Sequence, residues 1–201
     1  MKIGISFDIF DKGYGRWGDA KYLNLKEHGF SGMEFDMCNT NSLIYTLPEK
    51  EVDSFLLKEK KLAVDSGIEI YQVHGPWRWP ARDGTAEDRE ERLDKMKHSI
   101  RATATLGCRK WIIHPIMPCG ICEVNTDNAK KTWDLNLEFM NKLLPCAKEC
   151  GVTICLENMP MTQFSLAKPE DILSFVKTIN DDNFKNAILS KIERIDEQYG
   201  R

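Results

Sequence analysis

The stretch VTICLENMP, Val152 to Pro160, runs as an apolar strand pattern into a carboxylate and an amide, Glu157 and Asn158, and then into proline. A short apolar run bounded by turn residues reads as a buried strand, and Gly151 before it reads as the stop of the preceding helix. A carboxylate at a buried strand end is costly unless it is paired or holds a metal, so this end is either a satisfied structural contact or a working site.

Working outward, the same order recurs. KIGIS (2–6), GMEFD (32–36), IEIYQVH (68–74) and KWIIHP (110–115) are further strand candidates, and VTICLEN (152–158) is the fifth. Amphipathic segments lie between them. Trp133, Leu137, Met140, Leu144 and Ala147 recur at helical spacing after Thr126 and Asp127, and Leu93, Met96, Ile100 and Thr103 do the same before Gly107. Gly29 and Gly67 occupy the place of Gly107 and Gly151, just after a helical stretch and just before a strand. Repeated βα order with the same helix stop predicts a parallel sheet covered by helices, either doubly wound or curled into a barrel. No G-x-G-x-x-G follows strand one, so the dinucleotide-binding version lacks its phosphate loop.

Bulk properties narrow the function. The chain has 201 residues, 42% hydrophobic and 29% charged, which suits one globular domain. Lys and Arg total 28 against 31 Asp and Glu, a formal charge of −3, so no overall basic balance draws it to nucleic acid or to an anionic membrane. The start, MKIGISFD, enters a strand pattern without an apolar h-region, and no apolar run is long enough to span a bilayer; the expected location is the cytoplasm. Seven cysteines in apparent core positions are expected to be free thiols of a reducing compartment, and the one C-x-x-C, Cys119 and Cys122, lacks the second pair of a structural zinc site.

Polar residues gather at the C-terminal strand ends: Asp8, Glu34 with Asp36, His74, His114, and Glu157 with Asn158. In a parallel α/β barrel that end carries the active site. His74 in VHGPW, His114 in IHPIMP and Glu157 in LENMP are three potential ligands on successive strands, and imidazole with carboxylate suits a divalent ion. Taken singly, a strand-end histidine is more often a hydrogen-bonded core residue; three at one level point to a shared polar site. Pro76, Pro115 and Pro160 read as strand terminators. Trp77 and Trp79 in GPWRWPARDG could wall a ligand at the mouth or pack on neighbouring helices, and Arg78 and Arg82 could take a phosphate or be solvated. His28 and His98 read as structural or solvated, and the charges of EKKLAVDSG and TAEDREERLDKMKH as solvent faces of helices.

FDIF, GFSGMEFD, VHGPW, IHP and CLENMP, in this order on successive strands, resemble the sugar phosphate isomerase/epimerase family of xylose isomerase-like barrels, which is related to the endonuclease IV type of abasic-site endonuclease. The resemblance covers residues 1–180 of a single domain, 1–201, with 181–201 as a divergent tail. It implies a TIM-barrel-like α/β fold and a divalent metal (manganese, zinc or magnesium). It implies a small carbohydrate substrate, with Glu157 as metal ligand and as the carboxylate that moves a proton between adjacent carbons through an enediolate. In the endonuclease branch, His74 and His114 match zinc ligands that act with the residue matching Glu157; many isomerase-type members have such histidines near the site without using them as ligands. Asp8, Glu34, Trp77 and Asn158 are expected to contact the substrate.

The family's next strand brings an aspartate within a Leu-Asp-Thr-Gly-His pattern, a later strand a histidine and the last strand a second glutamate, and none of these is visible here. Four repeats between Lys2 and Val152 take about 150 residues, so eight at that pace need about 300. The segment NFKNAILSKIERIDEQYGR (183–201) reads as an amphipathic helix with Ile188, Ile192, Ile195 and Tyr199 on one face. The expectation is therefore an incomplete barrel of about five βα units with a helical tail. It is read as a truncated product, as a half-barrel that covers its open edges by homo-oligomerising, or as a scaffold without turnover. Neither nucleic acid nor membrane is expected as a partner, and an endonuclease-like zinc DNA-repair protein is the alternative activity.

Overall fold

A computed structural model describes residues 3–6, 18–77, 83–120, 123–159 and 165–187. Its strands are β1 (Gly4–Ser6), β2 (Gly32–Asp36), β3 (Glu69–His74), β4 (Lys110–Ile113), β5 (Thr153–Glu157) and β6 (Phe184–Ala187). Its helices are α1 (Lys21–Glu27), α2 (Leu43–Thr46), α3 (Glu49–Asp65), α4 (Ala86–Thr105), α5 (Asp127–Cys150) and α6 (Pro169–Ile179). The six strands form one parallel sheet in sequential order, β1 to β6. This is the parallel sheet that the repeated βα pattern predicts and, as a partial (β/α) barrel, the fold that the family resemblance implies.

One device ends a helix and launches a strand four times. Gly29, Gly67, Gly107 and Gly151 all have positive φ, between 63° and 86°. At each junction the next residue's amide reaches back to a carbonyl five residues earlier: Phe30 to Leu25, Ile68 to Ala63, Cys108 to Thr103 and Val152 to Ala147. A residue without Cβ adopts this left-handed turn at little cost, and the turn satisfies carbonyls the helix end leaves open. Helix starts are equally marked. Thr85 Oγ1 accepts from Asp88 N at 3.1 Å, and Thr126 Oγ1 accepts from Ala129 N at 3.2 Å.

The core lies between the sheet and the helices. Met33, Phe35, Val73, Trp111, Ile113, Ile154, Leu156 and Phe184 point from the strands into a layer with Leu56, Met96, Ile100, Met140, Ile172 and Phe175. Alternation then sends Glu34, Asp36, Gln72, His74 and Glu157 to the other face. A register shift in the β2–β3 pairing leaves Tyr71 as an extra residue between Ile70 and Gln72. Its ring lies over the starts of β1 and β2, where a Cβ on Gly4 would stand 2.5 Å from Tyr71 Cε1.

Three expectations need correction. The segment read wholly as a tail helix contributes β6, because Phe184 packs on Phe175 (6.0 Å between ring centres) and its chain pairs with Ile154 to Glu157; the sheet therefore has six strands rather than five. The helical face proposed at Ile188, Ile192, Ile195 and Tyr199 lies outside the described residues. Glu59 in EKKLAVDSG is buried, 3% exposed, because Tyr22 Oη donates to it at 2.6 Å and Lys21 Nζ lies at 2.5 Å. Arg92 in the charged α4 run is likewise buried, donating to Asp83 Oδ2 at 2.7 Å. A paired charge loses the main penalty against burial.

Candidate metal centre

Each strand end that carries a candidate ligand is held by backbone contacts. Beyond β2 and β3 the two chains stay zipped: Met37 N donates to His74 O at 2.9 Å and Trp77 N to Cys38 O at 3.1 Å, with a further bridge between Asn39 and Trp77. Gly75 follows His74 and presses on β4; a Cβ there would lie 2.5 Å from the buried Trp111 indole. Past β4, the buried Asn136 of α5 clasps Ile116, accepting from its N at 2.8 Å and donating to its O at 2.8 Å. That clasp fixes the turn through His114 and Pro115. Beyond β5, Asn158 N donates to Ala187 O at 3.3 Å.

These anchors bring His74, His114 and Glu157 together, with one potential ligand atom from each all within 4.8 Å of one another. His74 Nε2 lies 3.2 Å and His114 Nδ1 3.3 Å from the same carboxylate oxygen, Glu157 Oε2. His74 and Glu157 are buried, and the two imidazole rings stack at 4.8 Å, tilted by 50°. Trp77 places its edge against His114 at 5.7 Å. Met117, Met159 and Ala167 pack with Trp77 as an apolar wall beside the cluster.

The electrostatics divide the histidines. Burial alone would lower the His74 pKa, but its hydrogen bond to Glu157 and the charges of Glu34 and Glu157 outweigh that and raise it above 6.5. His114 is pulled down to about 4, by burial first and then by His74. Its buried Nδ1 has no hydrogen-bond partner among the described residues. His74 Nδ1 lies 3.1 Å from Gly75 O. A carbonyl only accepts, so the proton sits on Nδ1 and a neutral His74 turns the Nε2 lone pair toward Glu157. The His74 Nε2 lone pair, the unpartnered His114 Nδ1 and a carboxylate oxygen then lie within 4.8 Å of one another, an arrangement that favours a cation between them.

The donor set fits a divalent ion. Zn–N and Zn–O bonds of about 2.0–2.1 Å place neighbouring donors roughly 3.3 Å apart in a tetrahedral shell, close to the two spacings around Glu157 Oε2. The orphaned Nδ1 of His114 would gain a partner in the same step.

The other predicted contacts spread over the same face. Glu34 accepts from Ser6 Oγ at 3.0 Å and from Gln72 Nε2, so it sits in a hydrogen-bonded row across β1, β2 and β3. Trp77 edges the cluster and Asn158 follows Glu157 directly. Asp8, together with Arg78, Trp79 and Arg82, lies outside the described residues. Sequence reading passed over Cys38, whose Sγ is 2.9 Å from His74 Nδ1. Its signal was available: Glu34, Asp36 and Cys38 alternate with Met33, Phe35 and Met37 at a period of two.

A family model described as a xylose isomerase-like TIM barrel matches residues 23–188. Among solved structures, a D-psicose 3-epimerase determined in the presence of D-fructose superposes with a TM-score of 0.72 at 17% identity, covering 94% of this chain and 63% of that one. A 3-keto-D-glucoside 4-epimerase from E. coli in its apo form gives 0.68 at 14% identity, with 96% and 72% covered. An IolI protein with a bound zinc atom gives 0.65 at 17% identity, with 92% and 61% covered. These likenesses show the fold. The chain spans less than two thirds of the length of the first and third of these structures. No curated protein matches it.

Proposed function

We propose that this chain, which belongs to the xylose isomerase-like TIM barrel family, is a metal-dependent isomerase or epimerase of a small carbohydrate, with His74, His114 and Glu157 holding a manganese, zinc or magnesium ion. The observation that carries the reading is the convergence of two imidazole nitrogens on Glu157 Oε2 at the ends of three adjacent strands. Sugar-modifying neighbours with the same fold support the substrate class.

His74, His114 and Glu157 would hold a divalent ion that, when bound, would stabilise the negative charge developing as a proton leaves a carbon beside a carbonyl. Glu157 takes that proton and returns it from the same face to the neighbouring carbon, which isomerises the sugar; epimerisation needs a second proton donor on the other face. His74 and His114 orient Glu157, Trp77 with Met117 and Met159 shields one side from water, and Glu34 with Asn158 hydrogen-bonds substrate hydroxyls. Open sheet edges are covered by self-association, and the chain works in the cytoplasm.

The test is metal content by elemental analysis and calorimetry with manganese and zinc on wild type and Glu157→Ala, followed by epimerisation assays on ketoses. Stoichiometric binding lost in Glu157→Ala supports the reading; no uptake by wild type overturns it. A second reading draws on the same cluster: His–His–Glu is the zinc set that the endonuclease resemblance implies. Saturable binding to abasic-site DNA that weakens with salt would favour it, and the formal charge of −3 weighs against it.

A further inference from the structure

A histidine that holds a metal needs its second ring nitrogen anchored, because that contact chooses the tautomer and aims the lone pair of the first. His74 Nδ1 has two contacts, Gly75 O at 3.1 Å and Cys38 Sγ at 2.9 Å. They are not equivalent. Gly75 is the next residue and moves with His74, whereas Cys38 comes from the neighbouring strand end and ties the ring to the sheet.

We propose that Cys38 is a positioning residue for His74, its thiol sulfur accepting from His74 Nδ1–H and so holding the ring in the tautomer whose Nε2 lone pair faces Glu157. This rests on the reading of His74, His114 and Glu157 as the metal-holding set. Its sulfur lies 2.9 Å from Nδ1 and can accept from Nδ1–H. Outer-sphere support of this kind fixes the tautomer and orientation of a metal-holding imidazole, and here a thiol supplies it.

The backbone holds Cys38 for this task. Cys38 N donates to Asp36 Oδ1 at 2.6 Å, and Cys38 O accepts from Trp77 N at 3.1 Å. With Met37 N on His74 O, these bonds clamp the residue on both sides, so Sγ is fixed relative to the ring. Serine keeps a donor and an acceptor in the same place on a shorter reach; alanine keeps neither.

The test compares wild type, Cys38→Ala and Cys38→Ser in two measurements. The first is 15N NMR of the His74 imidazole in metal-free protein, alkaline of its titration, and the second is zinc calorimetry. Wild type is expected to show the Nδ1–H tautomer. Cys38→Ala is expected to mix in the other tautomer and to lose roughly 10- to 100-fold in zinc affinity, with Cys38→Ser recovering most of both. The proposal is overturned if Cys38→Ala keeps a single Nδ1–H tautomer and binds zinc within about twofold of wild type. It is overturned equally if Cys38→Ser behaves like Cys38→Ala, since Cys38 then only fills space. A wild-type protein that takes up no zinc, yet whose tautomer shifts as expected in the variants, sinks the metal reading and leaves the Cys38–His74 linkage standing.

Discussion

The two ends of the sheet are built by opposite rules. At the N-terminal ends, Gly4 and Gly32 leave space that the Tyr71 ring fills, and four left-handed glycines stop the helices that precede β2 to β5. At the C-terminal ends, Asn136, Gly75 and the zipped chains beyond β2 and β3 hold a buried cluster of ionisable groups. One end tolerates adjustment because its filler is a half-exposed ring. The other has less slack, since small movements there would separate three side chains whose polar atoms lie within 4.8 Å of one another.

The sharpest way to break the contrast is Asn136→Ala. It strips both backbone groups of Ile116 of their buried partner, and the expected loss is about 2–4 kcal/mol in urea unfolding, accompanied by weaker zinc binding. A loss below about 1 kcal/mol would mean that the turn through His114 holds itself.

Gly75→Ala tests the same end through packing. Its Cβ would meet a fully buried indole, so about 1–3 kcal/mol of overpacking is expected, with zinc affinity reduced because His74 is the adjacent residue. Unchanged affinity at reduced stability would separate the packing of this turn from the site.

Acidity sharpens the comparison within the site. Protons compete for His74 at its raised pKa, so zinc affinity should begin to fall while the pH is still above 6.5; His114, held down to about 4, competes only near that value. The two groups also act on the metal-free fold with opposite signs. The His74 contribution is complete below pH 6.5 and is lost as pH rises through its raised value, whereas His114 costs stability as pH falls from 6.5 toward about 4. From these groups alone the metal-free fold is most stable near pH 6.5, and unfolding midpoints of wild type against His74→Gln and His114→Gln at pH 5, 6.5 and 8 check each limb. Zinc affinity that stays flat down to pH 5 would contradict the His74 assignment.

The smallest effect belongs to the other end. In Gly4→Ala the new Cβ meets the far edge of the Tyr71 ring, which can swing aside, so the expected cost is about 1 kcal/mol or less with zinc affinity unchanged. A cost equal to that of Gly75→Ala would erase the distinction between the two ends.

Much of this architecture was readable from the chain because its signals are local. GMEFD is β2 to the residue, and four glycines after helical periodicities are the four left-handed stops. His74, His114 and Glu157 were recognisable as a group because each ends a strand of the same repeat, a purely positional argument. What escaped depended on partners distant in sequence. β6 has one large apolar residue, Phe184, and its pairing with β5 outweighs the helical spacing that follows it. Glu59 and Arg92 look solvated until Lys21, Tyr22 and Asp83 are brought to them. Cys38 had the correct period but no distinguishing neighbour, and only the approach of His74 gives it a role.

The strand order has a bearing on how the molecule assembles. Because β1 to β6 are neighbours in sequence as well as in space, each strand docks on the edge its predecessor has just supplied, one βα unit away. A chain emerging from the ribosome can therefore grow the sheet from one side, with no strand waiting for a distant partner. The cluster at the C-terminal ends cannot form before β5 arrives with Glu157, so the His–His–Glu group is completed late, on a scaffold of strands already paired.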